Sequence, residues 1–332
     1  MKVFFVQADL TGCGYYRSQL PATALKHSGM EVECSIPALD IPDLVESDIV
    51  VLQMQINPEW IDVIDEGRVN GCKYVYELDD DIWHMHSGLP DYEKKRGYKD
   101  IMIKILTHCD AVITATSKLA SQVKPHNQNV YVLPNYIVEP TNKIQQGNHK
   151  IRIGFSGSAS HLIDFDAALI NALKEIKRRY DKVELIFLGW IPVELMGEAS
   201  FFRFVEPKRY IHFLRDLRFD IGIAPCKDIP FNQSRSNLKY LEYSINRTAT
   251  VASAVEPYLD IYSDRGILVN NSYKTWLKAL DKLVSDDTYR EKLANNAYDF
   301  VHKNYMLTDK MDEIKNLYET IARDKWQPKI TH

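Results

Sequence analysis

Arg235, Lys239 and Glu242 follow one another at intervals of four and three residues. On a helix turning about 100° per residue that spacing puts all three on one stripe. Ser234 and Ser236 are both good N-cap residues for such a helix. Its N-terminus would present free N–H groups and the positive end of the dipole, so two cations on the first turns suit a diphosphate. An ionised Glu two turns in accepts two hydrogen bonds and suits a pair of sugar hydroxyls. Together these groups would hold a nucleotide-sugar. The same stripe also reads as a salt-bridged surface helix, in which Lys239 and Glu242 pair in solvent.

The elements around the stripe favour a ligand. Asp220 to Ala224 is a short apolar run closed by Pro225, as expected of a buried parallel strand ending at a crevice. Cys226 to Asn232 contains Asp228 and Pro230 and predicts a loop; Asn232, at its end, joins the donor-binding set. Leu238, Leu241 and Ile245 form a second, core-facing stripe. Two strand, small-residue loop, helix units stand elsewhere. In the first, Lys2 to Gln7 leads through Gly12 and Gly14 to a helix over Tyr15–His27, with Arg17 one turn in. In the second, Ile151 onward ends in Ser156-Gly157-Ser158, with His161 ahead of a helix over Asp164–Tyr180. There the small residues let backbone approach a phosphate. His161 reads as a helix-start or packing residue, or as a base.

Two further stretches carry charge. Glu77-Leu78-Asp79-Asp80-Asp81-Ile82-Trp83-His84-Met85-His86 follows a strand. Asp79, Asp80 and Asp81 with two His there could bind a divalent cation, or form a helix cap or solvated turn; no metal ligand set is assigned. Tyr92 to Leu106 joins Lys94, Lys95, Arg96, Lys99 and Lys104 to Ile101, Met102, Ile103, Ile105 and Leu106. It reads either as peripheral contact with an anionic membrane or as a domain helix with a solvated basic end.

Strands are expected at Glu31–Ile36, Ile49–Met54, Lys73–Leu78, Ala111–Ala115, Val130–Leu133, Val183–Leu188, Phe202–Val205, Ile221–Ala224, Thr250–Ser253 and Ile267–Val269. Helices are expected near Pro58–Arg68, Tyr98–Thr107, Lys118–Val123, Thr275–Val284, Tyr289–Asn304 and Asp309–Arg323. The alternation predicts parallel sheets covered by helices, an α/β chain of two Rossmann-like domains. Val138 to Lys150 is rich in Asn, Gln, Pro and Gly and reads as the linker. The expected domains are 1–142, 143–308 and a C-terminal helix, 309–332, that crosses back to the first. A chain of 332 residues, 45% hydrophobic, supports two cores. Net charge −4 gives no support for nucleic acid as partner. Five scattered cysteines without a CxxC pair exclude a disulfide framework and a zinc site; each is expected to be a small buried residue. With neither a secretory leader nor an 18-residue apolar stretch, a cytoplasmic protein is expected, peripheral to a membrane if 92–106 docks.

The segment from Phe219 to Ser253 resembles the donor-binding segment of GT-B glycosyltransferases, those akin to family 4 (glycosyl transferases group 1). The pattern is a strand ending in Pro, a loop, a Lys/Arg-Ser pair (Arg235-Ser236), a helix carrying Glu (Glu242), and a Val-Ala-Ser close (Val251-Ala252-Ser253). The sequence departs from it at Ser234, where a first Glu is frequent, at Arg247, where Gly is usual, and at Ala249, where Pro is usual. The first departure removes the usual contact to the donor sugar. The other two affect a turn, where Asn246 can supply the left-handed residue. The resemblance implies a GT-B fold with both sheets facing a central cleft. It implies transfer from a nucleoside diphosphate sugar to an acceptor hydroxyl, with retention and without metal or other cofactor. Donor-binding residues would be Gly157, Ser158, Asn232, Arg235, Ser236, Lys239 and Glu242, with Arg235 also catalytic. Gly12, Gly14 and Arg17 would face the acceptor or cleft, and Asp80 or His86 would act near the acceptor hydroxyl, although the acids also resemble the DxD motif of GT-A transferases. The acceptor could be a glycan, lipid-linked or nucleic-acid hydroxyl. A UDP-sugar epimerase of the same fold and a binding-only relative are the alternatives.

Overall fold

The computed structural model describes residues 1–36, 46–90, 92–143 and 150–323. Its contacts separate the chain into two units. Unit 1 comprises residues 1–82, 94–136 and the chain from Leu307 onward, and unit 2 comprises Trp83–Glu93 and Ile137–Met306. The division therefore falls at 136/137 rather than 142/143. Part of the expected linker, 144–149, lies outside the described residues.

Unit 1 is built on strands β1 (Lys2–Val6), β2 (Glu31–Ser35), β3 (Ile49–Gln53), β4 (Lys73–Leu78), β5 (Ala111–Thr114) and β6 (Val130–Val132). All pair in parallel in the order β2-β1-β3-β4-β5-β6. The central strands are nearly continuous apolar runs because helices cover both faces: β3 is buried along its whole length, whereas the edge strand β2 is mostly exposed. Cys34 on that edge is exposed and Cys13 is half-buried, so only Cys72, Cys109 and Cys226 are the buried cysteines expected of all five. The Met311–Arg323 helix packs within unit 1: Tyr318 lies 5.9 Å from Phe5 and Glu313 accepts from the Tyr136 hydroxyl. The basic segment divides. Lys94, Lys95 and Arg96 are exposed on the Tyr92–Gly97 helix, but Met102, Ile105 and Leu106 of the Lys99–His108 helix are buried. Three of the five apolar residues are thus core, Ile101 and Ile103 are half-buried, and Lys94, Lys95, Arg96 and Lys104 remain on the surface.

Unit 2 is built on β7 (Ile151–Gly157), β8 (Val183–Gly189), β9 (Ser200–Phe202), β10 (Ile221–Ala224), β11 (Ala249–Ser253) and β12 (Ile267–Val269). Its parallel order is β12-β11-β10-β7-β8-β9. Counted from its own first strand this is the doubly wound dinucleotide-fold order, which reverses direction between β7 and β10. Ligands in such sheets sit outside the carboxyl ends of the two strands at the reversal. The sheet is sealed by the Ala167–Arg179, Tyr273–Ser285 and Asp287–Tyr305 helices, whose Leu169, Leu173, Trp276, Leu280 and Leu293 meet Phe155, Phe187 and Val251 in one core. Two elements differ from expectation. The edge strand is Ser200–Phe202, not Phe202–Val205. A helix over Pro207–Leu217 was not among those expected, although Tyr210, Ile211, Leu214 and Leu217 recur at helical spacing and are buried.

The organising helix also starts later than its Ser residues predict. A one-turn helix, Pro230–Gln233, occupies the expected loop and ends at Ser234; the main helix runs over Leu238–Ile245 with Asn237 at its N-cap and no side-chain cap. Pro at the first position of the short helix explains why a turn starts there, since its fixed φ favours it. Arg235 therefore lies in the turn before the helix and not on its stripe. At the far end, Arg247 (φ 55°) takes the left-handed position, and Asn246 does not (φ −95°). The cost of a side chain there is offset by stacking of the Arg247 guanidinium 3.7 Å from the Tyr298 ring centroid.

Candidate functional site

The reversal point of unit 2 brings together the carboxyl ends of β7 and β10. From β7 comes Ser156-Gly157-Ser158. Ser158 is exposed and caps the short helix Ala159–Asp164, its Oγ accepting from the Ser160 amide. Gly157 has no room for a side chain: a Cβ would stand 2.6 Å from Lys239 Nζ, 2.7 Å from Phe155 Cζ and 3.0 Å from His161 Cδ2. The absent side chain is what lets the ammonium reach the strand end, where it donates to the Ser156 carbonyl and lies 4.7 Å from the Phe155 ring centroid.

From β10 comes the turn carrying Asn232 and Arg235. Both converge on Asp164, whose side chain is fully buried. Its Oδ1 accepts from the Lys227 amide (2.9 Å) and Asn232 Nδ2 (2.7 Å), and its Oδ2 from His161 Nδ1 (2.8 Å) and Arg235 Nη1 (3.2 Å). Burial alone would raise the Asp164 pKa, but the His161 hydrogen bond and the Arg235 charge outweigh it and hold the carboxyl below its usual range. Asp164 is thus an anionic hub tying the β7 loop to the β10 turn. Nothing singled it out in sequence beyond its place at a helix start; the reversed strand order makes it meet residues 63 to 71 positions away. Arg235 Nη2 also donates to the Ser160 carbonyl, and its guanidinium lies 5.0 Å from the Phe231 ring centroid.

His161 is neutral. Burial, then the Lys239 and Arg235 charges, press its pKa down to about 3 against the opposing pull of Asp164. A neutral ring that donates Nδ1–H to Asp164 keeps Nε2 as an acceptor. Lys239, 8% exposed, has its pKa lowered to about 8, first by burial, with Arg235 adding and Glu242 opposing. Every residue from Lys239 to Ile245 is buried, which overturns the solvent-exposed salt-bridge reading of this helix. Glu242, 5% exposed, accepts from the Tyr210 hydroxyl at 3.0 Å, and that hydroxyl lies 2.6 Å from Ser156 Oγ. Tyr210, on the unexpected helix, therefore joins Glu242 to the end of β7.

The predicted donor residues sort into three groups. Gly157, Lys239, Arg235 and Glu242 assemble around the strand ends. Asn232 is wholly buried, with its amide spent on Asp164 and the Lys227 carbonyl; its place is behind Arg235, as a brace. Ser158 and Ser236 stand at the rim, and Ser234 is buried behind it.

In unit 1 the carboxyl ends of β1 and β4 are polar and crowded. Arg17 is neither a surface arginine nor exposed. It is 2% exposed, donates from Nε to Glu77 at 2.6 Å and from Nη1 to the Leu133 carbonyl and Asn135. Gly14 is required by close approach, since a Cβ would lie 2.0 Å from the Asp9 carbonyl oxygen, whereas Gly12 borders open space. Asp79 is held well above the usual carboxylate range by burial and by the charges of Asp80 and Glu77. Asp81 is buried and accepts from Gln122. Asp80 belongs to unit 1 and His86 to unit 2, where its Nδ1 accepts from the Gly88 amide. Among the described residues no group of three or more His, Cys, Asp or Glu is placed to hold a metal ion. No described helix is long and apolar enough to cross a membrane.

No family model and no curated protein matches the sequence. Solved structures do share the fold. Anabaena HepE in complex with UDP-glucose superposes with a TM-score of 0.69, covering 96% of this chain and 100% of that one at 11% identity. The sucrose-phosphate synthase of Thermosynechococcus elongatus gives 0.69 over 96% and 98% at 12% identity. A candidate UDP-N-acetylglucosamine 2-epimerase from Listeria monocytogenes gives 0.59 over 99% and 98% at 12% identity. The chain has the fold of the GT-B glycosyltransferase structures, two six-stranded parallel sheets flanked by helices.

Proposed function

We propose that the chain is a glycosyltransferase that moves a sugar from a nucleoside diphosphate sugar to an acceptor hydroxyl. One observation carries this reading: Lys239, Arg235 and Glu242, predicted from sequence as one ligand set, converge at the strand reversal of unit 2 although Arg235 is not on the helix. Two cations and a glycine at a strand end suit a diphosphate, and a buried carboxylate suits the ribose hydroxyls. Arg235 and Lys239 stabilise the departing diphosphate as charge builds on it, from positions fixed beforehand by Asp164 and the Ser156 carbonyl. Gly157 and Ser158 offer backbone to the phosphates, and Ser236 lies at the rim. Neighbours crystallised with UDP and UDP-glucose support UDP as the first nucleotide to try.

The resemblance to family 4 supports retention of configuration without metal. Asp80, His86, Gly12 and Gly14 are the acceptor-side residues of this reading, with Arg17 buried behind them as the partner of Glu77, and the exposed Lys94, Lys95 and Arg96 support a peripheral contact with an anionic bilayer. The neighbour described as an epimerase favours the second reading, interconversion of a UDP-sugar. Incubation with a panel of UDP-, GDP- and ADP-sugars separates the possibilities. Release of nucleotide with transfer or hydrolysis of the sugar supports the transferase. Interconversion supports the epimerase, and binding without turnover a relative that has lost catalysis.

A further inference from the structure

Ser156 is wholly buried near the end of β7. Its amide donates to the Tyr243 hydroxyl at 3.1 Å, and that hydroxyl donates to the Ile223 carbonyl of β10 at 3.1 Å. Its carbonyl accepts from Lys239, and its Oγ lies 2.6 Å from the Tyr210 hydroxyl. Tyr210 has one proton to give, and gives it to Glu242 Oε2 at 3.0 Å. The shorter contact is then Ser156 donating to the Tyr210 oxygen. Tyr210 keeps its proton, because burial and then the Glu242 charge press its pKa well above the ordinary value. A chain of donors with one direction thus runs from Ser156 through Tyr210 to Glu242. Core packing asks only for the ring, which lies 6.2 Å from Phe204. The hydroxyl adds a polar group that is costly to bury unless it is bonded.

We infer that Tyr210 is a positioning residue: its hydroxyl, held by Ser156, fixes the Glu242 carboxylate in the orientation that meets the ribose hydroxyls. The inference rests on the nucleotide reading above. A glutamate that settles its rotamer only when ligand arrives loses that freedom on binding; one already held by a donor does not. A carboxylate accepts several hydrogen bonds, so the ribose hydroxyls add to Tyr210 and do not displace it. Because the Ser156 carbonyl also holds Lys239, one buried residue sets the spacing between the group for the ribose and a group for the phosphates.

The test is calorimetric titration of UDP, 2′-deoxy-UDP and inorganic pyrophosphate into wild type, Tyr210→Phe, Ser156→Ala, Glu242→Gln and the variant joining Tyr210→Phe to Glu242→Gln. Wild type should prefer UDP to 2′-deoxy-UDP by about tenfold or more, as for loss of a hydrogen bond to a charged group. Tyr210→Phe keeps the ring. It should cut that preference about two- to tenfold, the range for one side chain immobilised on binding, and leave pyrophosphate unchanged. Ser156→Ala keeps the carbonyl for Lys239 and should cut the preference in the same direction by less. In the Glu242→Gln background Tyr210→Phe should change the preference no further, because it acts through that carboxylate. Full preference in Tyr210→Phe, equal losses for all three ligands, or a further drop in the double variant overturns the positioning role. Should Tyr210→Phe not fold, full preference in Ser156→Ala overturns it. Wild type that binds both nucleotides equally overturns the role and the ribose contact and leaves the diphosphate site standing. Wild type that binds no nucleotide overturns the nucleotide reading and the role with it.

Discussion

Lys239 would make the proposed donor site pH-dependent in a direction that follows from its burial. Its pKa falls from 10.5 to about 8, chiefly because the ammonium has been taken out of water. At 1.36 kcal/mol per pKa unit, the free protein disfavours that charge by about 3 kcal/mol. For folding, the charge-burial cost is fully present below pH 8 and is relieved as pH rises from about 8 toward 10.5. For a diphosphate the sign reverses, because the anion binds the protonated form and raises the lysine pKa in the complex. With a pKa of about 8, roughly nine-tenths of the free sites carry the proton at pH 7 and about one-tenth at pH 9. UDP affinity should therefore fall about tenfold between pH 7 and pH 9, with close to one proton taken up per UDP bound at pH 9. Calorimetry in two buffers of different ionisation enthalpy reads both quantities. Lys239→Met should bind weakly at both pH values and take up no proton. A flat affinity across this range with no proton uptake in wild type would refute the reasoning, because the amine would then not face the phosphates.

Arg235→Ala should weaken UDP binding by about 1.5–3 kcal/mol, the range for a hydrogen bond to a charged group, and slow transfer at least as much; unchanged affinity in calorimetry would count against it. Asp164→Ala strips a fully buried anion from His161 and Arg235 and should destabilise the protein by about 3–5 kcal/mol, read as the shift in urea midpoint. Its folded pKa is depressed, so the stability it confers is present above the unfolded pKa and is lost as pH falls through the folded one; the loss in the variant should shrink in acid. Asp79 has the opposite sign: a raised folded pKa means stability is lost as pH rises above the ordinary carboxylate range. Asp79→Asn should then raise the melting temperature near pH 8 and have little effect near pH 4, as measured by calorimetric melting.

The fold was legible in the sequence where apolar or aromatic runs stand between turn formers. β3, β4 and β10 come within a residue of expectation because they are buried parallel strands of mainly apolar residues. β12 and β9 are both three-residue edge strands: Ile267-Leu268-Val269 is marked by Gly266 before it and Asn270 after it, whereas Ser200-Phe201-Phe202 has no such bounds and was misplaced. The candidate site was legible as a set of residue types but not as geometry. Charge and spacing identify Lys239 and Glu242, but the break between Gln233 and Leu238 moved Arg235 off the helix, and a tertiary partner, Asp164, returns it to the same place. Asp164 and Tyr210 are ordinary residues in sequence. Their importance comes from a strand order that no local pattern encodes. The strand-end polarity of unit 1 was half legible: the acids after β4 stand out, but the burial of Arg17 against Glu77 needs contacts 60 residues apart.

The most direct measurement is a crystal structure with UDP. The account predicts diphosphate oxygens about 2.7–3.2 Å from Lys239 Nζ and an Arg235 guanidinium nitrogen, and ribose hydroxyls at the Glu242 carboxylate. UDP bound elsewhere, with Lys239 still donating to the Ser156 carbonyl and Arg235 still turned wholly to Asp164 and Ser160, would contradict it.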